Sequence, residues 1–161
     1  MKTMKTPVIL TTERLCIRLS TDAEMQELIT DTEDEGLKPA YTEMLTMARE
    51  NPESRQWFTA WFIENAGGER VGELCFKGLS PDGMTEIGYG ILPEFQGSGY
   101  ATEAVGAVTQ WALSQPGVRC ITAETEANNA ASQQVLAKAG FTATGEYGEE
   151  GPLFALMRQS S

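Results

Sequence analysis

Between Thr85 and Gln115 the apolar positions change period once, and the chain is organised around that change. Ile87, Tyr89 and Ile91 alternate with Glu86, Gly88 and Gly90, the period-2 pattern of a strand. Pro93, which has no N–H to give to a ladder, ends it. Gln96-Gly97-Ser98-Gly99 reads as a turn, and Ala101, Ala104, Val105, Val108, Trp111 and Ala112 then form a helical stripe. The stripe stops at Gln115-Pro116-Gly117, a strong helix terminator.

The flanking segments alternate between the same two periods. Thr11 to Ser20 sets Leu15, Ile17 and Leu19 against Arg14, Cys16 and Arg18, which predicts a first strand. Ser20 or Thr21 can cap a helix carrying Met25, Leu28 and Ile29, with Glu24 in its first turn. An acidic loop from Asp31 to Gly36 leads to a second helix from Pro39 to Arg49, with Tyr41, Met44, Leu45 and Ala48 on one face. Gln56 to Glu64, with Trp57, Phe58, Trp61, Phe62 and Ile63, reads as a strand whose aromatics are either core or a substrate cage. Asn65 to Glu69 is a hairpin loop, Val71 to Lys77 pairs back, and Ser80 to Gly83 turns into the central strand. After the main helix come a strand from Val118 to Thr125 and a helix from Asn129 to Lys138, closed by Gly140. Two last strands follow Phe141, broken at Gly148 to Pro152.

A strand, a glycine turn and a helix together aim free backbone N–H groups and the positive end of a helix dipole at an anion. The first candidate chemistry is therefore a phosphate-bearing ligand on Gln96 to Ala101; an ordinary turn is the alternative. Two familiar phosphate motifs fail. A Walker loop closes on G-K-[ST], whereas Gly99 is followed by Tyr100; a Rossmann fingerprint ends on Gly or Ala, whereas Thr102 stands there.

Composition narrows the field further. The chain has 161 residues, a size that suits one domain over 1–161 with a core of its own, and 23 acids against 12 bases leave a net charge of −11. That balance argues against a nucleic-acid partner and mildly for a cationic one. There is no histidine, which excludes Ser-His-Asp and Cys-His nucleophiles and His-based zinc sites; no metal is expected. Cys16, Cys75 and Cys120, an odd count without close spacing, suit free thiols in a reducing compartment. Val8-Ile9-Leu10 is too short an apolar run for a signal peptide, and nothing approaches the ~18 residues of a membrane span, so no membrane partner and a cytoplasmic location are expected.

The string Gly88-Tyr-Gly-Ile-Leu-Pro-Glu-Phe-Gln-Gly-Ser-Gly-Tyr-Ala-Thr-Glu-Ala104, with its Gln96-x-x-Gly99-x-Ala101 core, resembles the acetyl-CoA loop of the GNAT superfamily of N-acetyltransferases. It looks like the branch that includes ribosomal-protein N-terminal acetyltransferases. Asn129-Ala-Ala-Ser132-Gln-Gln-Val135-Leu136-Ala-Lys138-Ala-Gly140-Phe141 and Thr12-Glu13-Arg14-Leu15 are further matches, in the family's order. The resemblance implies an α/β fold: a mixed, strongly bent sheet of about seven strands with helices on both faces. It also implies transfer of acetyl from acetyl-CoA to a primary amine, by direct attack without a covalent enzyme intermediate. The acceptor would be a protein N-terminus or a small cationic amine, shaped by the region between the first two strands, and a homodimer is suggested.

By the same resemblance Gln96, Gly97, Ser98, Gly99, Tyr100 and Ala101 would hold the CoA pyrophosphate. Ile91 and Leu92 would offer backbone groups to the pantetheine arm, and Asn129 would contact it. Asn129 is also readable as a plain helix cap, but the motif around it favours the CoA contact. Gly88 and Gly90 either leave room beside the backbone or mark a bulge. Glu86, on their face, is either a base or substrate anchor, or a buried carboxylate bonded to backbone or a serine. Many family members carry a tyrosine four positions before the terminal glycine; here that position is Leu136. Ser132, Tyr147 or water would then have to protonate the leaving thiolate, unless Ser132 is a simple surface residue. Tyr100 suits packing beside the loop better than catalysis. The alternatives to an enzyme are a non-catalytic acyl-CoA-binding module and a nucleotide-binding regulator.

Overall fold

The computed structural model describes residues 8–159. Eight strands form one sheet: β1 (Ile9–Thr11), β2 (Leu15–Leu19), β3 (Trp61–Asn65), β4 (Arg70–Phe76), β5 (Met84–Ile91), β6 (Cys120–Glu124), β7 (Thr142–Tyr147) and β8 (Pro152–Met157). Their order across the sheet is β1-β2-β3-β4-β5-β6-β8-β7. All neighbours are antiparallel except β5 and β6, which run parallel.

The eighth strand is a correction to the reading of Thr11 to Ser20 as one strand. The chain turns between β1 and β2, where the Thr12 hydroxyl accepts from the Leu15 N–H at 3.0 Å and the Thr12 N–H donates to the Leu15 carbonyl at 2.9 Å. The aromatic run also begins differently. Pro52–Trp57 is a 3₁₀ segment, and β3 starts only at Trp61. Trp57 and Trp61 pack with Phe76 and Trp111 at ring separations of 5.0 to 6.3 Å, so the strand propensity around Trp57 gives way to an aromatic cluster. These rings are core rather than a cage.

Helices cover both faces. The helices α3 (Tyr100–Leu113) and α4 (Ala130–Lys138) pack on the face carrying Ile17, Ile63, Leu74, Phe76 and Ile87. The helices α1 (Asp22–Asp31) and α2 (Leu37–Glu50) bury Met25, Tyr41 and Leu45 against Ala60 and Phe62 on the other. Local sequence sets these helix ends. Thr21 and Glu24 form a capping box on α1. Gly140, at φ 98°, closes α4 with the paired bonds Phe141 N–H to the Leu136 carbonyl and Gly140 N–H to the Ala137 carbonyl.

One irregularity of pairing positions the site. β5 pairs with β6 only from Met84 to Glu86, opposite Cys120 to Thr122, whereas it stays on β4 through Ile91. Beyond Glu86 the two strands part, and the sheet is splayed. The Leu92 N–H donates to the Val71 carbonyl and the Glu86 carbonyl accepts from the Lys77 N–H, so even-numbered residues of β5 address β4. Tyr89 and Ile91 therefore turn their backbone groups to the opened side. The β4–β5 register runs without a shift past Gly88 and Gly90, so neither glycine marks a bulge.

Candidate active site

The parted strands bound a cavity of about 590 Å³. Tyr89 and Ile91 line it from β5, Ala123 and Glu124 from β6, and Ser132 from α4. It continues over Gly88, Gly90 and Glu73 to Leu37, Tyr41 and Met44 on α2. The two glycines create that passage: a Cβ on Gly90 would meet nothing within 4 Å, and one on Gly88 only the Cys75 sulfur at 3.8 Å.

The glycine turn follows three residues after the cavity-lining Pro93 and is not itself part of the lining. Gly97 and Gly99 have φ of 85° and 82°, a left-handed conformation that other L-residues adopt only with strain. Gly99 is the N-cap of α3 and carries no side-chain cap, so the first turn of the helix presents bare N–H groups. Arg14 braces the back of this loop. Its guanidinium donates to the Ser98 carbonyl at 2.8 Å and to Glu103 at 2.7 Å, and lies 4.7 Å from the centroid of the Tyr100 ring. Burial pushes Glu103 up, but hydrogen bonds from the Thr12 hydroxyl and from the Arg14 backbone and side chain outweigh it and hold the carboxyl below its ordinary range. Tyr100 is thus packed beside the loop. Arg14 lies in the Thr12-to-Leu15 motif, but its tie to Ser98 spans 84 positions and has no local signature.

Other expected contacts are partly occupied within the protein. The Gln96 side-chain amide donates to the Ile91 carbonyl at 2.9 Å, so it ties the loop to the end of β5. Leu92 has both backbone groups satisfied, its N–H by Val71 and its carbonyl by the Phe95 N–H. The backbone groups turned to the opening belong instead to Tyr89 and to the Ile91 N–H. Asn129 caps α4 by accepting from the Ser132 N–H at 3.0 Å. Its amide NH2 has no protein partner among the described residues.

Ser132 does not sit alone on a helix surface. Its Oγ is 2.7 Å from the phenolic oxygen of Tyr89, within the cavity wall. Burial pushes the Tyr89 phenol above its ordinary value, against a smaller opposing effect of the Ser132 bond. Leu136 is fully buried in the core beside Phe141, and Tyr147 is 73% exposed on β7, away from the cavity lining. Of the residues expected to stand in for the missing tyrosine, Ser132 lines the cavity and Tyr147 does not; Tyr89, legible in the sequence only as part of an apolar stripe, is a phenol in the lining. Glu86 lines the same cavity, ion-paired to Lys77 at 2.8 Å rather than bonded to backbone or a serine. No group of three His, Cys, Asp or Glu among the described residues is arranged to hold a metal.

Residues 7–142 match the family model of the acetyltransferase (GNAT) domain. The chain belongs to this family. Among curated relatives, the uncharacterized N-acetyltransferase YoaA of Bacillus subtilis is 28% identical over 149 residues, covering 85% of this chain and 84% of YoaA. YjdG of the same organism, another uncharacterized N-acetyltransferase, is 40% identical over 87 residues, covering 52% of this chain and 51% of YjdG. That match therefore spans about half the length of the relative. The ribosomal-protein-S5-alanine acetyltransferase of Vibrio fischeri superposes with a TM-score of 0.74 at 16% identity, over 94% of this chain and 97% of the other, a likeness of fold.

GNAT enzymes take acetyl-CoA as co-substrate, and the residues present fit that ligand. A pyrophosphate suits the open left-handed turn and the uncapped start of α3. The pantetheine amides would suit the free backbone groups of Tyr89 and the Ile91 N–H, where a peptide-like chain can take the place that β6 has vacated.

Proposed function

We propose that this protein transfers the acetyl group of acetyl-CoA to a primary amine, a protein N-terminus or a small cationic amine, by direct attack. The observation that carries the reading is the parting of β5 from β6, with the glycine loop tied to the end of β5 through Gln96 and Ile91 and the Tyr89–Ser132 pair on the cavity wall. Gly97, Ser98, Gly99, Tyr100 and Ala101 hold the pyrophosphate through backbone N–H groups, with Gln96 and Arg14 fixing the loop. Asn129, besides capping α4, uses its unpartnered amide on the CoA arm.

Within this reading Glu86 draws the acceptor's ammonium into the cavity and takes one of its protons, and the neutral nitrogen then attacks the thioester carbon with its lone pair. The carbon–sulfur bond breaks, the departing sulfur takes a proton from Ser132, which is resupplied by Tyr89, and the second proton shed by the nitrogen returns to Tyr89 through water. Products are the N-acetyl amine and free CoA, so no covalent enzyme intermediate is needed.

The test is release of CoA thiol from acetyl-CoA on adding amines of different classes. Amine-dependent release without a burst supports the reading. Tight CoA binding with no release for any amine would leave only an acyl-CoA-binding module.

A further inference from the structure

At the α2 end of the cavity lies a carboxylate that acetyl transfer leaves unused. Glu73 sits on β4 opposite Phe62 of β3 and Gly90 of β5. One of its oxygens accepts from the Tyr41 phenol, and the other is buried without a hydrogen-bond partner. Among the described residues it has no ion-pair partner: Lys77 is taken by Glu86, and the Arg70 guanidinium lies over the Phe62 ring at 4.7 Å. A carboxylate drawn from water and left half-satisfied is costly unless a cation completes it.

The surroundings suit an aliphatic cation. The space above Gly90, directly across from Glu73, is open, and Leu37, Ala40 and Met44 give apolar walls. Burial, and then the bond to Glu73, push the Tyr41 phenol well above its ordinary value, so it stays a neutral donor. Glu73 and Glu86 share this face of the sheet but stand at opposite ends of the glycine floor. Lys77, the register neighbour of Glu86, lies four positions along β4 from Glu73, a rise of about 13 Å. One ammonium cannot serve both carboxylates. Between them Cys75 is a thiol pushed up by burial, so that stretch of floor is uncharged.

We propose that Glu73, with Tyr41, binds a second positive charge on the acceptor, which is an aliphatic amine carrying two cationic groups on a flexible methylene chain. The inference rests on the acetyl-transfer reading: Glu86 serves the amine that is acetylated, and Glu73 holds the charge that is not. Glu73 is a specificity residue in this scheme and takes no part in proton transfer.

Calorimetric titration of the CoA complex with hexane-1,6-diamine and with n-hexylamine separates the possibilities without turnover. The wild-type protein should bind the diamine at least about tenfold more tightly, as a charge-assisted bond predicts. In Glu73→Gln the ratio between the two amines should collapse toward one, and in turnover the loss should appear in KM for the diamine. Equal affinities in the wild type, which need no variant to measure, would overturn the proposal, as would a diamine preference that survives Glu73→Gln. If the diamine binds through Glu73 but no amine releases thiol, acetyl transfer fails and the cation site stands. If hexylamine is acetylated and the diamine gains nothing, the reverse holds.

Discussion

The phenolic oxygen of Tyr89 lies 2.7 Å from Ser132 Oγ, linking the unpaired stretch of β5 to the first turn of α4. Two residues separated by 43 positions meet at the cavity wall, where β5 has parted from β6. The family's usual phenol would come from Leu136, one turn deeper in α4. That position is filled by a fully buried core side chain. In the proposed mechanism the phenol is that of Tyr89, on the strand.

If Tyr89 resupplies the proton that Ser132 gives up, Tyr89→Phe should lower kcat about a hundredfold, the low end of general acid–base effects, while CoA affinity holds. Burial raises the Tyr89 pKa, so the phenol keeps its proton to higher pH than a free tyrosine. The wild-type rate should therefore show no alkaline fall from this group below pH about 10. Thiol-release rates from pH 6 to 10 check both points. A merely structural bond would cost about 1 kcal/mol of stability and leave kcat alone.

Gly99→Ala forces a methyl onto a backbone with φ 82°, 3.3 Å from an Arg14 nitrogen. Strain of about 1–2 kcal/mol and a displaced loop should weaken CoA binding at least about tenfold by calorimetry. Gly106→Ala, in the interior of the same helix with open space around it, is the control. It should raise Tm slightly, by the ~1 kcal/mol that separates alanine from glycine in a helix, with CoA affinity kept.

Glu86→Gln should preserve fold and CoA affinity and lower kcat/KM for the amine by about 10²-fold or more. The deficit should shrink as pH rises, because free amine becomes abundant and less proton removal is asked of the protein. The variant also frees Lys77, whose pKa is raised chiefly by its bond to Glu86, so that pKa should fall back. Amine kinetics identical to wild type across pH 6 to 9 would assign Glu86 to the ion pair alone.

Acid stability should be shaped by Glu24. Its carboxyl is held down at about 2, first by the Arg18 bond, and it also closes the capping box of α1. A depressed carboxylate stabilises the fold above its unfolded value near 4.5 and loses that contribution as pH falls toward 2. Glu24→Gln should cost about 1 kcal/mol at pH 7, after allowing for solvent screening, and the gap to wild type should narrow as pH falls from about 4.5 toward 2. Thermal melts at pH 7, 4 and 2.5 measure it.

The strand, glycine turn and helix around residues 85–115 are local features, and local sequence determined them. Period-2 and period-3.6 stripes, Pro93, and two glycines needed at positive φ leave little choice of backbone there. Asn129 as a cap and Gly140 as a helix end were legible for the same reason. The turn that divides β1 from β2 was not, because Thr12 and Arg14 are held there by Glu103, far along in α3. Nor was the 3₁₀ segment before β3, which follows from Trp57 docking on Phe76 and Trp111. Periodicity tells which face a side chain takes but not where a neighbouring strand stops pairing. That stopping point after Glu86 frees Tyr89 and Ile91, leaves Leu92 satisfied, and brings Tyr89 to Ser132. Such meetings depend on how helices and strands dock once the core has closed, a tertiary outcome that no stretch of the chain encodes alone.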